Sequence, residues 1–380
     1  MMAQPHSARA RILGLSADER AIIAMVFIVK ALLLVFGGLA YQIVNHQPLV
    51  FSAGAYLEIW NRWDGPQYLN IVQHGYRSSG EDRLRLVFYQ LYPWTIRAAS
   101  IVFHNVLVSA LAVSTFASLA AAVELYRLTA LDHTRRLARE AVWFLFIFPT
   151  SYFLHTDYSE SLFLALILGA FLAARHDRWM AAGVFGLLAG LTHVNGALLF
   201  PALAAEALAR FWRERRFELR WFWIALIPLA PLIYLLLNYR ITGDPLAFMQ
   251  IEREHWIHVV VPPWRGIAEN LGVAFAYGPY EAQMIGVQVL FFIGAALLAM
   301  IFCAWMLPLS YTVWMTANLL LFTSQSWDIS TPRYVLAMFP MFILIARLAR
   351  TRHWNTAITV WSLLWLGTLA SQFVVGHWTF

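Results

Sequence analysis

The sequence predicts an all-α polytopic membrane protein. Hydrophobic residues make up 61% of its 380 positions against 13% charged, apolar runs recur at the length that crosses a hydrocarbon core, and arginines gather in alternate loops. No polar stretch of domain size is left for a soluble nucleotide- or nucleic-acid-binding module, so residues 1–380 read as one integral-membrane domain. The net charge of +6 is then a topology signal, not a nucleic-acid footprint. Cys303, the single cysteine, lies in an apolar run, which excludes intramolecular disulfides and a multi-cysteine metal site. No short apolar region followed by a small-residue cleavage site opens the chain, so the first run is expected to remain as a span.

Hydropathy places about eleven spans, near 21–44, 105–127, 140–155, 158–174, 179–191, 194–209, 221–239, 284–305, 307–325, 332–346 and 355–375. Residues 87–103, interrupted by Pro93 and Arg97, fit a re-entrant half-helix, a juxtamembrane helix or a further crossing. Treating them as non-crossing gives the cleaner charge pattern. Arg135, Arg136 and Arg139, then Arg175 and Arg178, then the arginines of 210–220, then Arg347, Arg350 and Arg352, all fall on one side with Arg9, Arg11 and Arg20 of the tail. The positive-inside rule makes that side cytoplasmic. The opposite face collects two long loops, 45–103 with interfacial or re-entrant helices and 240–283, and the turns at 155–160, 192–196 and 326–333.

Chemistry-bearing residues gather on that non-cytoplasmic face. In the first loop, Asp64-Gly65-Pro66 precedes a pattern in which Tyr68, Ile71 and Val72 share a helical face and Gly75 offers a stop, as in an interfacial helix. Asp64 either complements that helix's N-terminus or acts as a proton acceptor beside Trp60 and Trp63, whose rings can stack on a sugar. Asp157 and Glu160 are spaced as a capping box for the next span, although a carboxylate at Glu160, on the edge of an apolar run, also suits a polar cavity. Tyr152 and Tyr158 read as interface anchors. Further on, Ser330 or Thr331 can cap a helix with Pro332 in its first turn, which puts Arg333 near a positive helix end suited to phosphate. The other reading of Arg333 is an arginine snorkelling to the headgroups. His193 and Asn195 in one turn, and Asp244, Glu252, Glu254, His255, Trp256 and His258 in the second loop, complete the polar set. None has spacing specific enough for a metal, although Glu254, His255 and His258 can lie close on a helix.

There is no Gly-rich phosphate loop followed by Lys-Ser/Thr, no Gly-x-Gly-x-x-Gly and no Asp-x-Asp pair for a metal-bound nucleotide sugar. A phosphate-activated substrate delivered from within the bilayer fits better, with no cofactor. The blocks RWDGPQYLNIVQHGY, LVFYQLYP, FPTSYFLHTDYSESLFL, THVNGALLFPAL, YRITGDPLAF and RYVLAMFPMF, in this order along nearly the whole chain, resemble the GPI mannosyltransferase II family and its prokaryotic relatives, which are GT-C glycosyltransferases. The W-D-x-x-x-Y and YSESLF blocks are the specific ones. Gln90 stands where Pro is common in that family, and His193 where Arg is common, so one phosphate contact is not carried over.

That resemblance implies transfer of a hexose, mannose in the family, from a polyprenyl-phosphate donor, with Asp64 in the active site. An inverting, metal-independent reaction follows, in which Asp64 is the base, Arg333 meets the phosphate, and Asp157 and Glu160 bind sugar hydroxyls or position the acceptor. Trp60, Trp63 and Trp256 are stacking candidates, with His193, Asn195 and Asp244 as further contacts. The expected partners are membrane lipids, the lipid-linked donor and a glycan, glycolipid or protein acceptor. The expected location is a bacterial or archaeal cytoplasmic membrane with the site facing outside, or an ER membrane with a luminal site. The rival class is a transporter or flippase of lipid-linked sugars, which shares the intramembrane polar groups but needs them near midplane.

Overall fold

Apolar length and polar caps decide where the helices start. The computed structural model describes residues 14–46, 52–276, 278–326 and 329–379; Arg9 and Arg11 of the tail, and Trp327 and Asp328 of the last turn, lie outside them. In chain order the helices are α1 (Ala17–Asn45), α2 (Ala53–Glu58), α3 (Asp64–His74), α4 (Leu91–Phe103), α5 (Val106–Ala130), α6 (Arg135–Phe146), α7 (Glu160–Arg175), α8 (Trp179–Thr192), α9 (Leu199–Glu214), α10 (Leu229–Thr242), α11 (Ala247–His255), α12 (Pro263–Ala276), α13 (Pro279–Glu281), α14 (Gln288–Met306), α15 (Leu309–Thr323), α16 (Thr331–Tyr334), α17 (Pro340–Leu348) and α18 (Arg352–Val374). Ser16 and Glu19 form a reciprocal capping box at the start of α1, while Asn105, Thr134 and Thr351 cap α5, α6 and α18. Each cap satisfies a backbone N–H that hydrocarbon cannot.

The protein is an integral membrane protein. Every one of the eleven apolar runs contains helix, but among the described residues six stretches are long and apolar enough to cross: Ala17–Asn45, Val106–Ala130, Val194–Glu214, Leu219–Thr242, Ile285–Met306 and Arg352–Val374. A seventh is reached if Thr331–Ala337 and Pro340–Leu348, which meet at 87°, count as one bent span. α6, α7, α8 and α15 are shorter, at 12, 16, 14 and 15 residues. The reason is visible at two of them. The run 140–155 unwinds after Phe146 into Phe148-Pro149-Thr150 and a 3₁₀ turn at Ser151–Leu154, so α7 begins from a recessed loop and needs fewer residues.

In residues 87–103 the helix is shorter than a hydrocarbon core is thick. α4 has 13 residues, about 20 Å, and packs on α3 and α5. Pro93 falls in its first turn, where a missing N–H costs little, so it helps to start the helix instead of breaking it.

Ion pairs sort the two ends of the bundle. Arg127–Glu19 (2.6 Å), Arg139–Asp18 (3.1 Å), Arg175–Asp132 (2.7 Å) and Arg210–Asp177 (3.1 Å) gather the arginine-rich loops at one end. At the other, the chain after α1 folds back on it. Trp60 lies on Gly37, where a Cβ would come within 2.2 Å of the indole, and Tyr56 lies on Gly38, where it would come within 2.5 Å of the ring. That contact is two turns, about 12 Å, short of the end of α1, so the segment leading to Asp64 is recessed into the bundle. Above it the first long loop meets α10, where Tyr234 donates to the Leu86 carbonyl at 2.7 Å, and the second long loop, where Glu254 pairs with Arg83 at 3.3 Å.

Candidate active site

α3 carries Asp64 at its first position, and the predicted face is the buried one: Tyr68, Ile71 and Val72 pack against Phe88, Tyr92 and Ile96, and the helix ends at Gly75. Asp64 does not cap it. The N-cap is Trp63, at φ 54° and ψ −102°, with no side-chain cap, a backbone conformation that costs on the order of 1–3 kcal/mol for a non-glycine residue. Tyr158 holds it there by accepting from the Asp64 N–H (3.1 Å) and donating to the Arg62 carbonyl (2.9 Å).

Freed from capping, the Asp64 carboxylate meets Arg333. Arg333 Nη1 donates to Asp64 Oδ2 at 2.6 Å. Its Nε stands 3.0 Å from Glu160 Oε1, close enough for an ion pair but outside hydrogen-bond alignment, and Glu160 Oε2 has no partner. With its side chain 7% exposed, the guanidinium is lined by the rings of Phe153, Tyr158 and Tyr334 at 5.3–5.4 Å. A snorkelling arginine is therefore excluded. Pro332 does open α16 as expected, but Ser330 makes no side-chain cap.

The expected capping box at Asp157 is absent: Ser159 is the N-cap of α7 without a side-chain bond. Asp157 is fully buried, and neither carboxylate oxygen has a hydrogen-bond partner. It lies under Gly65, where a Cβ would fall 2.5 Å from Asp157 Oδ2, so only glycine lets α3 start this close. Burial pushes its carboxyl up to about 8, with the charges of Glu58 and Asp64 adding to the rise. The native state thus holds a proton that the unfolded chain releases near pH 3.8. This group's contribution is complete below that pH and falls as pH rises towards about 8. Asp157→Asn is expected to flatten the decline in thermal stability across that window, which unfolding scans in detergent at stepped pH will measure.

The loop bearing Asp157, Tyr158 and Glu160 rests on polar side chains of α1 and α5. Lys30 donates to the His155 carbonyl (3.1 Å) and to Thr115 Oγ1 (2.6 Å), Ser118 to the Leu154 carbonyl (2.5 Å) and Ser114 to the Tyr158 carbonyl (3.3 Å). Tyr68 and Ser159 share a hydrogen bond of 3.0 Å. Irregular backbone at this depth needs such partners, because lipid offers none.

On the other side of Arg333, a cavity of about 10 Å³, room for roughly one water, is lined by Glu160, Phe163, His193, Asn195, Arg333 and Tyr334 among others. His193 Nδ1 lies 3.1 Å from Asn195 Oδ1, and Asn195 donates to Asn318 at 3.0 Å. Burial, then the charge of Arg333, hold the His193 ring down at about 4. It offers a neutral hydrogen-bonding nitrogen where an arginine would offer charge.

Other expected contacts are placed differently. Trp60 is 2% exposed, packed on Gly37 and Phe373, and presents no free face for stacking. Trp63 remains 41% exposed. Asp244 accepts from the Leu246 N–H at 2.9 Å in an exposed turn after α10, and Trp256 ends α11; neither makes a hydrogen bond, ion pair or ring contact with the cluster among the described residues. Glu254 pairs with Arg83 and His258 with Glu252 (3.0 Å), so the Glu254–His255–His258 grouping does not form. Tyr152 and Tyr158 are buried in the site wall, not interface anchors. The sequence also passed over Lys30 and the segment after α18, where Trp378 meets Trp63 edge-on at 4.9 Å. Lys30 was detectable as a charge within an apolar span.

No family model and no curated protein sequence matches this chain. Solved structures are similar to it: ArnT from Cupriavidus metallidurans bound to undecaprenyl phosphate, at 17% identity and TM-score 0.52, covers 88% of this chain. The apo state of ArnT gives 16% and 0.51 with the same 88%. The fold is GT-C-like. The chain spans 62% of the length of ArnT, and at this identity the likeness is one of fold. The Archaeoglobus fulgidus oligosaccharyltransferase AglB, in complex with an inhibitory peptide and a dolichol-phosphate, aligns more loosely, at 11% identity and TM-score 0.46 over 95% of this chain and 56% of that one.

Proposed function

We propose that the protein transfers a hexose from a polyprenyl-phosphate donor to an acceptor hydroxyl on the non-cytoplasmic side of the membrane. The observation that carries this reading is the buried Asp64–Arg333–Glu160 cluster, recessed at the acid-lined end of a GT-C-like bundle. ArnT, which shares the fold, was solved with undecaprenyl phosphate bound. The sequence resemblance to GPI mannosyltransferase II and its prokaryotic relatives favours mannose as the sugar.

The reaction follows from the groups present. Phosphate entering the site competes with Asp64 for the guanidinium of Arg333, since a charge-assisted fork suits either anion. Releasing Asp64 leaves its carboxylate free to take the acceptor proton as the acceptor oxygen attacks the anomeric carbon. The bond from that carbon to the phosphate oxygen breaks on the opposite face, so the configuration inverts and the electron pair leaves on the phosphate. Arg333 offsets the charge that develops there. Glu160 keeps the arginine in place once Asp64 has let go.

Purified protein in liposomes, given a polyprenyl-phosphate mannose and a panel of hydroxyl acceptors, is expected to release polyprenyl phosphate in step with glycosylated acceptor. Movement of intact donor across the bilayer with no release would make the protein a transporter.

A further inference from the structure

We infer that Trp378, together with Trp63, holds the sugar ring of the lipid-linked donor. The end of α18 and the segment after it turn back into the site. Arg62 donates to the Val374 carbonyl at 3.0 Å, Trp378 meets Trp63 at 4.9 Å with an interplanar angle of 81°, and Tyr152 donates to the Thr379 carbonyl at 2.7 Å. Thr379 is 1% exposed. Residues more than 300 positions apart thereby form one wall, with the aromatic corner directly before Asp64.

Two features of that corner suit a sugar. Rings at right angles offer one flat face for the apolar side of a pyranose and one edge to limit its rotation. The indole N–H of Trp378 is buried and has no hydrogen-bond partner. A buried donor left unpaired is unfavourable unless something completes it, and a sugar hydroxyl is an acceptor of the right size. Trp60 also has an unpaired N–H, but its ring is enclosed between α1 and α18, so no ligand reaches it. This inference rests on the transfer reading above. If the donor phosphate lies at Arg333, the sugar hangs from it by a single oxygen and stays within one ring's length, which brings it to the Asp64 side where Trp63 begins. The exposed face of Trp63 is then the stacking surface, and Trp378 supplies the hydrogen bond and the backstop.

Trp378→Phe keeps the ring and removes the N–H. Its binding to a polyprenyl-phosphate mannose and to bare polyprenyl phosphate is to be measured beside wild type and Trp378→Ala, together with donor KM and kcat. The expected result for Trp378→Phe is about three- to tenfold weaker binding of the sugar-bearing lipid, unchanged binding of the bare lipid phosphate, and a raised donor KM with kcat near wild type. Trp378→Ala should widen the gap between the two lipids. Equal loss for both lipids, or a Trp378→Phe protein that binds the sugar-bearing lipid as wild type does, overturns the assignment. Because equilibrium binding needs no turnover, a wild-type protein that fails to transfer would defeat the transfer reading while this comparison still decides the role of Trp378.

Discussion

Asp64→Asn is expected to lower turnover by about two to four orders of magnitude while the protein unfolds near the wild-type temperature. The structure removes the alternative that would have made the change informative only about folding. α3 is capped at Trp63 without a side-chain bond, so the Asp64 carboxylate has no capping role to lose. Asparagine keeps the shape and an oxygen for Arg333 Nη1, now at 2.6 Å from Asp64 Oδ2, and Glu160 still balances the guanidinium. What disappears is a group able to take a proton. Single-turnover transfer should be read beside thermal stability and donor binding. Near-normal transfer by the asparagine variant would end the general-base role and pass it to Glu160, the other carboxylate on the same arginine.

Arg333→Ala should have the largest effect on stability, about 3–5 kcal/mol lost, and donor binding should go with it. The guanidinium sits between two carboxylates and beside three aromatic rings. Its removal leaves Asp64 and Glu160 facing one another in a site from which water is largely excluded, with the ring faces turned to an empty space. Arg333→Lys restores charge to one carboxylate at a time but not the fork, so stability should recover more than donor affinity. Thermal unfolding with and without polyprenyl phosphate separates the two losses. An alanine variant that unfolds at the wild-type temperature and still binds the lipid phosphate would remove Arg333 from the site.

Much of the molecule is legible in one dimension. The face Tyr68–Ile71–Val72 and the stop at Gly75 are local consequences of helical spacing, and both are present. The arginine bias anticipated one bundle end, where Arg139, Arg175 and Arg210 meet Asp18, Asp132 and Asp177. Capping patterns were less dependable. Asp157-x-x-Glu160 has the spacing of a capping box, yet burial beneath Gly65 and attraction to Arg333 take its two acids elsewhere. Local rules assign side chains to their nearest backbone partners, and in a packed membrane core a distant charge can outcompete them.

Composition and spacing are enough to read the chain as a helical membrane protein, to say which end its arginines occupy, and to put Asp64, Glu160 and Arg333 at the other end. Transfer free energy and helical period act over neighbouring residues, so composition and spacing suffice for these. It takes packing in three dimensions to close Arg333 on Asp64 across 269 positions, to enclose Trp60 while Trp63 stays open, and to return the segment after α18 to Trp63. Those pairings depend on how helices pack, here on Gly37, Gly38 and Gly65 allowing backbones and rings to approach. A glycine shows only that such an approach is allowed; which partner arrives is set by the whole bundle closing at once.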